Sequence, residues 1–175
     1  MFKEDRTETR FRWEDIGDVT MGRPTLGGSV PVEAYRLMKY ALRDVLIAEF
    51  DPYRASDFLS RAGRRAGREL CRQYLDADQD IEDFLEELGE RMIQLKMGIL
   101  VIEKLDRISM DMVLTVAEDL DCSGLPNSDE TVCAFDEGLF SGVLEEYAGQ
   151  SFVVKEVDCW ANGDHVCRFA IYAAG

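Results

Sequence analysis

The sequence has 175 residues, 46% of them apolar, which is enough for one domain with a buried core. It carries 35 acidic and 20 basic residues, for a formal net charge of −15. Because this charge repels phosphate backbones and anionic lipid headgroups, we expect neither nucleic acid nor a membrane surface as a partner.

The first residues are charged, and no apolar run approaches the roughly 20 residues that cross a bilayer. We therefore expect a cytoplasmic protein. The sequence contains five cysteines, an odd number. In a reducing compartment, this favours metal ligands or free thiols over disulfides.

Residues 1–30 show only patchy periodicity, with Phe11 and Trp13 prominent, and end in a Gly- and Pro-rich loop at 22–28. We predict an N-terminal arm that contacts a second subunit or covers a pocket. An ordinary extended segment that crosses its own domain fits equally well. Residues 31–175 are predicted to form the single domain.

Three helical patterns follow the arm. The first begins at Pro31 and ends near Phe50, where Asp51-Pro52 interrupts it. Ser56 is the predicted cap of the second helix, which continues to about residue 74. The third covers residues 80–94 and is acidic and amphipathic.

The second helix has two unusual faces. Gly63 and Gly67 lie on one of them, and glycine inside a helix costs about 1 kcal/mol relative to alanine. We therefore expect a close approach there, by another helix rather than by a ligand. The opposite face is a stripe of arginines: Arg61, Arg64, Arg65 and Arg68. The stripe is either a solvated face paired with carboxylates or a docking surface for an anion or acidic partner.

The second half of the sequence favours strands. Residues 99–103 form an apolar run, and residues 108–116 alternate between apolar and polar. A helix follows over about 132–147, and two strands, 152–160 and 165–173, form a hairpin around Asn162-Gly163. Helices precede an antiparallel sheet, so the predicted class is α+β.

Cysteines in this second half suggest a metal site. Cys133, Cys159, Cys167 and the carboxylate of Glu156 would complete a tetrahedral zinc shell, which is structural because no position remains for a water. A three-residue hairpin loop places Cys159 and Cys167 on one face of the sheet, whereas a two-residue loop separates them. Glu156 can join only if the strand is irregular near residues 157–158. Cys122 is an additional candidate that could replace Glu156.

The same residues resemble a known family. The run Cys133-x-Phe-Asp-x-Gly-x-x-x-Gly142, followed by Glu156-x-x-Cys159-x-Ala-x-Gly-Asp-x-x-Cys167-x-Phe, resembles the 4-vinyl reductase domain family, a small-molecule and hydrocarbon-binding module. The resemblance covers roughly residues 30–173. It implies a helical layer packed on an antiparallel sheet, a fold similar to Golgi-transport tethering subunits and haem-based nitric oxide sensors.

The resemblance also implies a cofactor and an assembly. In the phenol-sensing members, three cysteines and a glutamate hold zinc with the order and spacing of Cys133, Glu156, Cys159 and Cys167. Those sensors form homodimers with help from their N-terminal segment. The histidine and tryptophan that hold phenol in them have no assigned counterpart in this sequence, so the resemblance implies a pocket but not a phenol.

We therefore predict a stand-alone sensor or carrier domain that contains structural zinc and binds a small hydrophobic or aromatic ligand. The ligand would lie between the helical layer and the sheet, against Phe84, Met110, Met112 and Trp160. One alternative is an enzyme or accessory protein acting on a tetrapyrrole vinyl group, which lacks support from any nicotinamide or flavin fingerprint. The other is a protein-interaction module that docks a signalling partner through the arginine stripe.

Overall fold

The computed structural model describes residues 11–128 and 130–174, so the first ten residues of the predicted arm lie outside the described part. The elements, in chain order, are a 3-10 helix Trp13–Ile16, α1 Val19–Gly22, α2 Val32–Glu49, α3 Pro52–Tyr74, α4 Ile81–Gln94, β1 Ile99–Leu105, β2 Met112–Ala117, α5 Ala134–Ala148, β3 Phe152–Asp158, a second 3-10 helix Trp160–Asn162 and β4 Cys167–Ala173.

Aspartate side chains cap the N-termini of two of the long helices. The Asp51 carboxylate accepts a hydrogen bond from the backbone N–H of Arg54, with Pro52 in the first helical position. The predicted cap Ser56 is wrong, since α3 begins four residues before it. Asp80 caps α4 in the same way, by accepting from Glu82 N and Asp83 N.

The four strands form one antiparallel sheet in the order β1-β2-β4-β3. Leu114 of β2 faces Phe169 of β4, and both side chains are fully buried. Strand β2 is shorter than predicted, because Asp106 accepts hydrogen bonds from the N–H groups of Ile108 and Ser109 in a turn. Ile108, predicted to lie in the strand, is 97% exposed in this turn.

Helices α4 and α5 pack against the sheet, with α4 near β1 and α5 near β3. Large side chains from both layers meet in one core: Phe84, Leu88, Met92, Leu114, Phe140, Phe152, Phe169 and Ile171 are all buried. The predicted α+β class, a helical layer on an antiparallel sheet, is confirmed.

Helix α3 packs on α5 through glycine. A Cβ atom added to Gly63 would overlap Phe135 O, and one added to Gly67 would overlap Leu139 O. Gly138 and Gly142 of α5 are equally close to the α3 backbone. The prediction that another helix approaches Gly63 and Gly67 is therefore confirmed.

Helix α2 turns its polar side toward the domain. Lys39 is only 5% exposed, whereas Leu37 and Met38 are 75% and 64% exposed. Part of the arm also contacts its own domain, since the Trp13 ring lies edge-on to Tyr74 of α3 at 4.9 Å. None of the described helices has the length and apolar character needed to cross a bilayer.

Candidate metal centre

Four cysteines from distant parts of the sequence meet beside the sheet. Cys122 lies in the loop after β2, Cys133 directly precedes α5, Cys159 follows β3, and Cys167 begins β4. Each is fully buried, and their four Sγ atoms lie within 4.8 Å of one another. The Sγ–Sγ distances include 3.0 Å for Cys122 and Cys167, 3.7 Å for Cys133 and Cys167, and 4.0 Å for Cys133 and Cys159.

These distances fit a thiolate metal shell. Zinc–sulfur bonds of about 2.3 Å place the sulfurs of a regular tetrahedron about 3.8 Å apart. The three observed distances lie around that value and exceed the roughly 2 Å of a disulfide bond. All five cysteines are free thiols. The four clustered sulfurs are therefore a donor set that fits a tetrahedral zinc ion.

The pKa values of the clustered thiols shift in opposite directions. Hydrogen bonds from Cys122, Cys133 and Cys167 lower the pKa of Cys159. Hydrogen bonds to Cys122 and other neighbours raise the pKa values of Cys133 and Cys167. The thiolate, which is the form that ligates a metal, is therefore favoured at Cys159 and disfavoured at Cys133 and Cys167.

Local distortions of the last hairpin bring these sulfurs together. The β3–β4 register shifts between Glu156 and Asp158, which is the irregular stretch that we predicted. The connection from Cys159 to β4 contains a 3-10 turn, and Gly163 ends that turn in the left-handed conformation, φ +95°. Both predicted hairpin loops, of two and of three residues, are too short and therefore wrong. The longer connection lets Cys159 and Cys167 approach the same point.

Glu156 lies next to the cluster, and its carboxylate contacts the backbone of Cys133. Its Oε2 accepts a hydrogen bond of 3.1 Å from Cys133 N, at the start of α5. Burial raises the pKa of Glu156 to about 8, and its Oε1 has no hydrogen-bond partner among the described residues. Cys122, not Glu156, belongs to the group of mutually close donor atoms, and the role of Glu156 as a ligand stays a prediction.

A buried polar network lies against the cluster. Lys39 forms an ion pair with Asp121, and Asp119 and Asp136 are buried nearby. Burial raises the pKa of Asp119 to about 6 and that of Asp136 well above its ordinary value. Sequence reasoning missed this network; the available signal was Lys39, which is flanked by apolar positions in α2.

The network also holds α2 in place. The Tyr35 hydroxyl donates to Asp121 Oδ1 at 2.7 Å, and the Tyr40 hydroxyl donates to Asp121 O at 2.9 Å. Arg36 Nε and Nη2 donate to the backbone oxygens of Leu120 and Ser123 at 2.8 and 2.9 Å. The helix is therefore docked on the loop that carries Cys122.

The four residues predicted to contact a ligand lie at different depths. Phe84 and Met112 are buried in the packed core, and the Phe84 ring lies 4.2 Å from that of Tyr147. Met110 is half-buried in the turn between β1 and β2, and Trp160 is half-buried beside Cys159. Trp160 lines an open groove, so it is accessible without rearrangement.

The arginine stripe is partly used within the protein. Arg68 and Arg64 contact the buried carboxylate of Glu145 on α5, at 2.8 and 3.5 Å. Arg61 is 3.6 Å from Asp57 one turn earlier, and Arg65 is exposed. Two of the four arginines thus link α3 to α5, as the alternative of paired carboxylates predicted.

Residues 112–173, which include all four clustered cysteines, match the family model of the 4-vinyl reductase domain. Over these residues the chain is similar to the 4-vinyl reductase domain. The predicted resemblance to this family is therefore confirmed. A relative of the full domain, the uncharacterized protein MJ0150 of Methanocaldococcus jannaschii, is 29% identical over 161 residues, covering 90% of this chain and 86% of that protein.

Solved structures share the fold of this chain. A vinyl-4-reductase family protein from Methanocaldococcus jannaschii matches with a TM-score of 0.62 and 18% identity, over 97% of this chain and 99% of that one. The phenol-responsive sensory domain of the transcription activator PoxR, with phenol, matches with a TM-score of 0.63 and 16% identity, over 82% and 75%.

The two predicted fold relatives are also found. A trafficking protein particle complex subunit 3 from Naegleria fowleri, covalently bound to palmitic acid, has a TM-score of 0.67 and 11% identity, over 82% of this chain and 95% of that one. An H-NOX protein from S. oneidensis has a TM-score of 0.54 and 14% identity, over 85% and 78%. At these identities the likeness concerns the fold, and it confirms the predicted fold class.

Proposed function

We propose that this chain is a ligand-binding sensor domain whose C-terminal part is cross-linked by a structural zinc ion. The observation that carries the proposal is the meeting of four buried thiols from four separate segments. Cys122, Cys133, Cys159 and Cys167 would hold the ion. Four thiolates leave no open position for a reacting water, so the ion would join chain segments instead of doing chemistry.

Two fold relatives support a small hydrophobic or aromatic ligand, since one is a phenol-responsive domain with phenol and another carries palmitic acid. A ligand between the helices and the sheet would contact Phe84, Met110 and Met112. Phe84 and Met112 are packed in the core, so this position requires the helical layer to move away from the sheet.

Elemental analysis and native mass spectrometry of protein purified without chelator test the proposal. We expect one zinc per chain in the wild type and in Cys71→Ser, because Cys71 is a buried cysteine of α3 outside the cluster. We expect none in Cys133→Ser. A folded wild type without metal would refute the cross-link, and any additional mass would identify a bound ligand.

The same measurement decides the fourth ligand. If Cys122 completes the shell, Cys122→Ser loses the ion and Glu156→Gln retains it. If Glu156 is the ligand, as the family resemblance implies, the two results are reversed. Either result is read against the Cys71→Ser control.

We further propose that the protein is a homodimer in which the apolar side of α2 is covered by a second copy. Leu37, Met38, Leu42 and Val45 are exposed there, while the polar side of the helix faces the domain. We expect Leu42→Glu to give a monomer in light scattering coupled to gel filtration. Ile108→Glu, which changes an exposed apolar residue elsewhere, should remain a dimer, and a monomeric wild type would refute the proposal.

The five free thiols also support a reducing compartment such as the cytoplasm. An output partner stays a prediction. If a signalling protein docks on the arginine stripe, Arg61 and Arg65 are its more available members, because Arg64 and Arg68 already contact Glu145.

A further inference from the structure

A surface groove of about 380 Å³ lies beside the cysteine cluster. Its walls come from four places: the start of α2, the loop between α4 and β1, the end of β2 with the loop after it, and the connection between Cys159 and Cys167. Its lining residues include Val32, Arg36, Lys96, Glu118, Trp160 and His165. A groove of this volume holds a molecule of one or two rings.

Backbone strain is concentrated around this groove. Among the described residues, four that are not glycine have positive φ angles, and three of them line it: Lys96 at +58°, Glu118 at +52° and His165 at +61°. Each of these conformations costs backbone free energy that glycine would avoid. The sequence therefore places three ionisable side chains on the groove wall despite this cost.

The groove offers an aromatic surface. The rings of Trp160 and His165 meet edge-to-face, with centroids 5.0 Å apart. Trp160 Nε1 donates to Leu125 O at 3.2 Å, which fixes the orientation of the indole. A planar ring in the groove would contact an aromatic pair that is already held in place.

The groove also offers cationic side chains, in a protein whose net charge is −15. Lys96 and Arg36 both line it, and Arg36 is held by hydrogen bonds to the backbone oxygens of Leu120 and Ser123. Asp119 also lines it, but its Oδ1 accepts hydrogen bonds from Asp121 N and Cys122 N. Glu118 is exposed.

We propose that this groove binds a small aromatic carboxylate, with its ring against Trp160 and His165 and its carboxylate at Lys96. An ammonium group forms charge-assisted hydrogen bonds to a carboxylate, and these select an anion over a neutral analogue. The site differs from the space between helices and sheet, because its lining residues lie on loops and on α2.

The site rests on the proposed cross-link. Trp160 and His165 belong to the connection bounded by Cys159 and Cys167, and the opposite wall includes Ser123, which follows Cys122. An ion shared by these cysteines would hold the two walls at a fixed separation. Binding of the aromatic acid should therefore weaken when the ion is removed.

The test uses the full chain with Trp13→Phe, which leaves Trp160 as the single tryptophan and makes its fluorescence report on the groove. Benzoate is titrated, with benzamide as the neutral isostere and acetate as the acid without a ring. We expect saturable binding of benzoate, at least tenfold tighter than of benzamide, and no saturation with acetate. Calorimetry on the wild type should give the same affinity.

Variants assign the contacts. Lys96→Asn should weaken benzoate at least tenfold and leave benzamide unchanged, since asparagine tolerates the left-handed backbone. Glu118→Gln on the same wall is the matched control and should bind benzoate at least as tightly as the wild type. Equal affinity for benzoate and benzamide, or an unchanged affinity in Lys96→Asn, would overturn the proposal.

The two proposals can fail separately. A protein that contains zinc but shows no saturable benzoate signal at millimolar concentration refutes the groove and leaves the cross-link standing. A metal-free protein that binds benzoate refutes the cross-link and supports the groove. Loss of binding on chelation, with unchanged circular dichroism, supports both.

Discussion

The contact between α3 and α5 allows a sharp test, because it depends on the absence of a single methyl group. In Gly63→Ala, the new Cβ would overlap Phe135 O and lie 2.9 Å from both Phe135 C and Leu139 N. All three are backbone atoms, so no side chain can rotate away. Relieving the overlap requires the helices to separate by about 1 Å along their contact.

Two opposing effects set the magnitude. Alanine inside a helix gains about 1 kcal/mol over glycine. Overpacking a well-packed contact costs about 1–3 kcal/mol, and the upper end applies here because backbone must move. We therefore expect Gly63→Ala to lose about 2 kcal/mol of unfolding free energy, which lowers the melting temperature by about 4–8 °C for a chain of this size.

Gly89→Ala is the matched control. Gly89 is also buried within a helix, but the nearest atom to an added Cβ is Leu100 Cβ at 3.6 Å, an ordinary contact. This variant should gain about 1 kcal/mol. Thermal melts at the same zinc concentration measure both changes. If Gly63→Ala proves as stable as Gly89→Ala, the close approach of α3 and α5 is wrong.

Three further predictions concern the region around the cysteines. Lys39→Met leaves Asp121 buried without its ion-pair partner and should lower the free energy of unfolding in urea by about 3–5 kcal/mol. Adding Asp121→Asn should restore most of this loss of stability. A loss below about 1 kcal/mol for Lys39→Met alone contradicts the buried pair. Burial raises the pKa of Asp119 from 3.8 to about 6, so this carboxyl stabilises the folded state fully below about pH 4 and loses that contribution as the pH rises through about 6. Asp119→Asn retains the Oδ1 acceptor, so the stability of the wild type relative to this variant should fall by up to about 3 kcal/mol between pH 4 and pH 7, and a constant difference refutes the shift. Chelation should lower the melting temperature of the wild type and of Cys71→Ser but leave Cys133→Ser unchanged, whereas equal responses in all three exclude the cluster as the metal site.

The positions of the helices could be predicted from the sequence, because the spacing of apolar residues and glycines is a local pattern within each helix. Gly63 and Gly67 predicted a close helix, and α5 supplies it. The spacing of Cys133, Cys159 and Cys167 predicted that these thiols meet, and they do. The glycine inference depends on which residues share a helix face, which the period of the helix determines, whereas the thiols meet because the connection after Cys159 is longer than predicted.

Three features could not be predicted from the sequence, because they depend on the tertiary structure. Asn162-Gly163 is typical of a tight hairpin turn, but Trp160 and Ala161 enter a 3-10 turn and lengthen the connection. The periodicity of α2 shows that Leu42 and Val45 share a face, yet it does not show that Lys39, on the other side, is the buried one. Whether Cys122 or Glu156 lies closer to the other thiols depends on how the loop after β2 folds back, which no local pattern records.

The position of β4 has a consequence for how the fold is assembled. This strand pairs with β2 on one side and β3 on the other, although it is the last element in the sequence. Before it is in place, the β1–β2 hairpin and β3 share no hydrogen bonds, and Cys167 is missing from the cluster. Contacts between distant parts of a chain form slowly, so completion of the sheet should limit the folding rate. A permuted chain that places β4 next to β2 in sequence should fold faster while burying the same core.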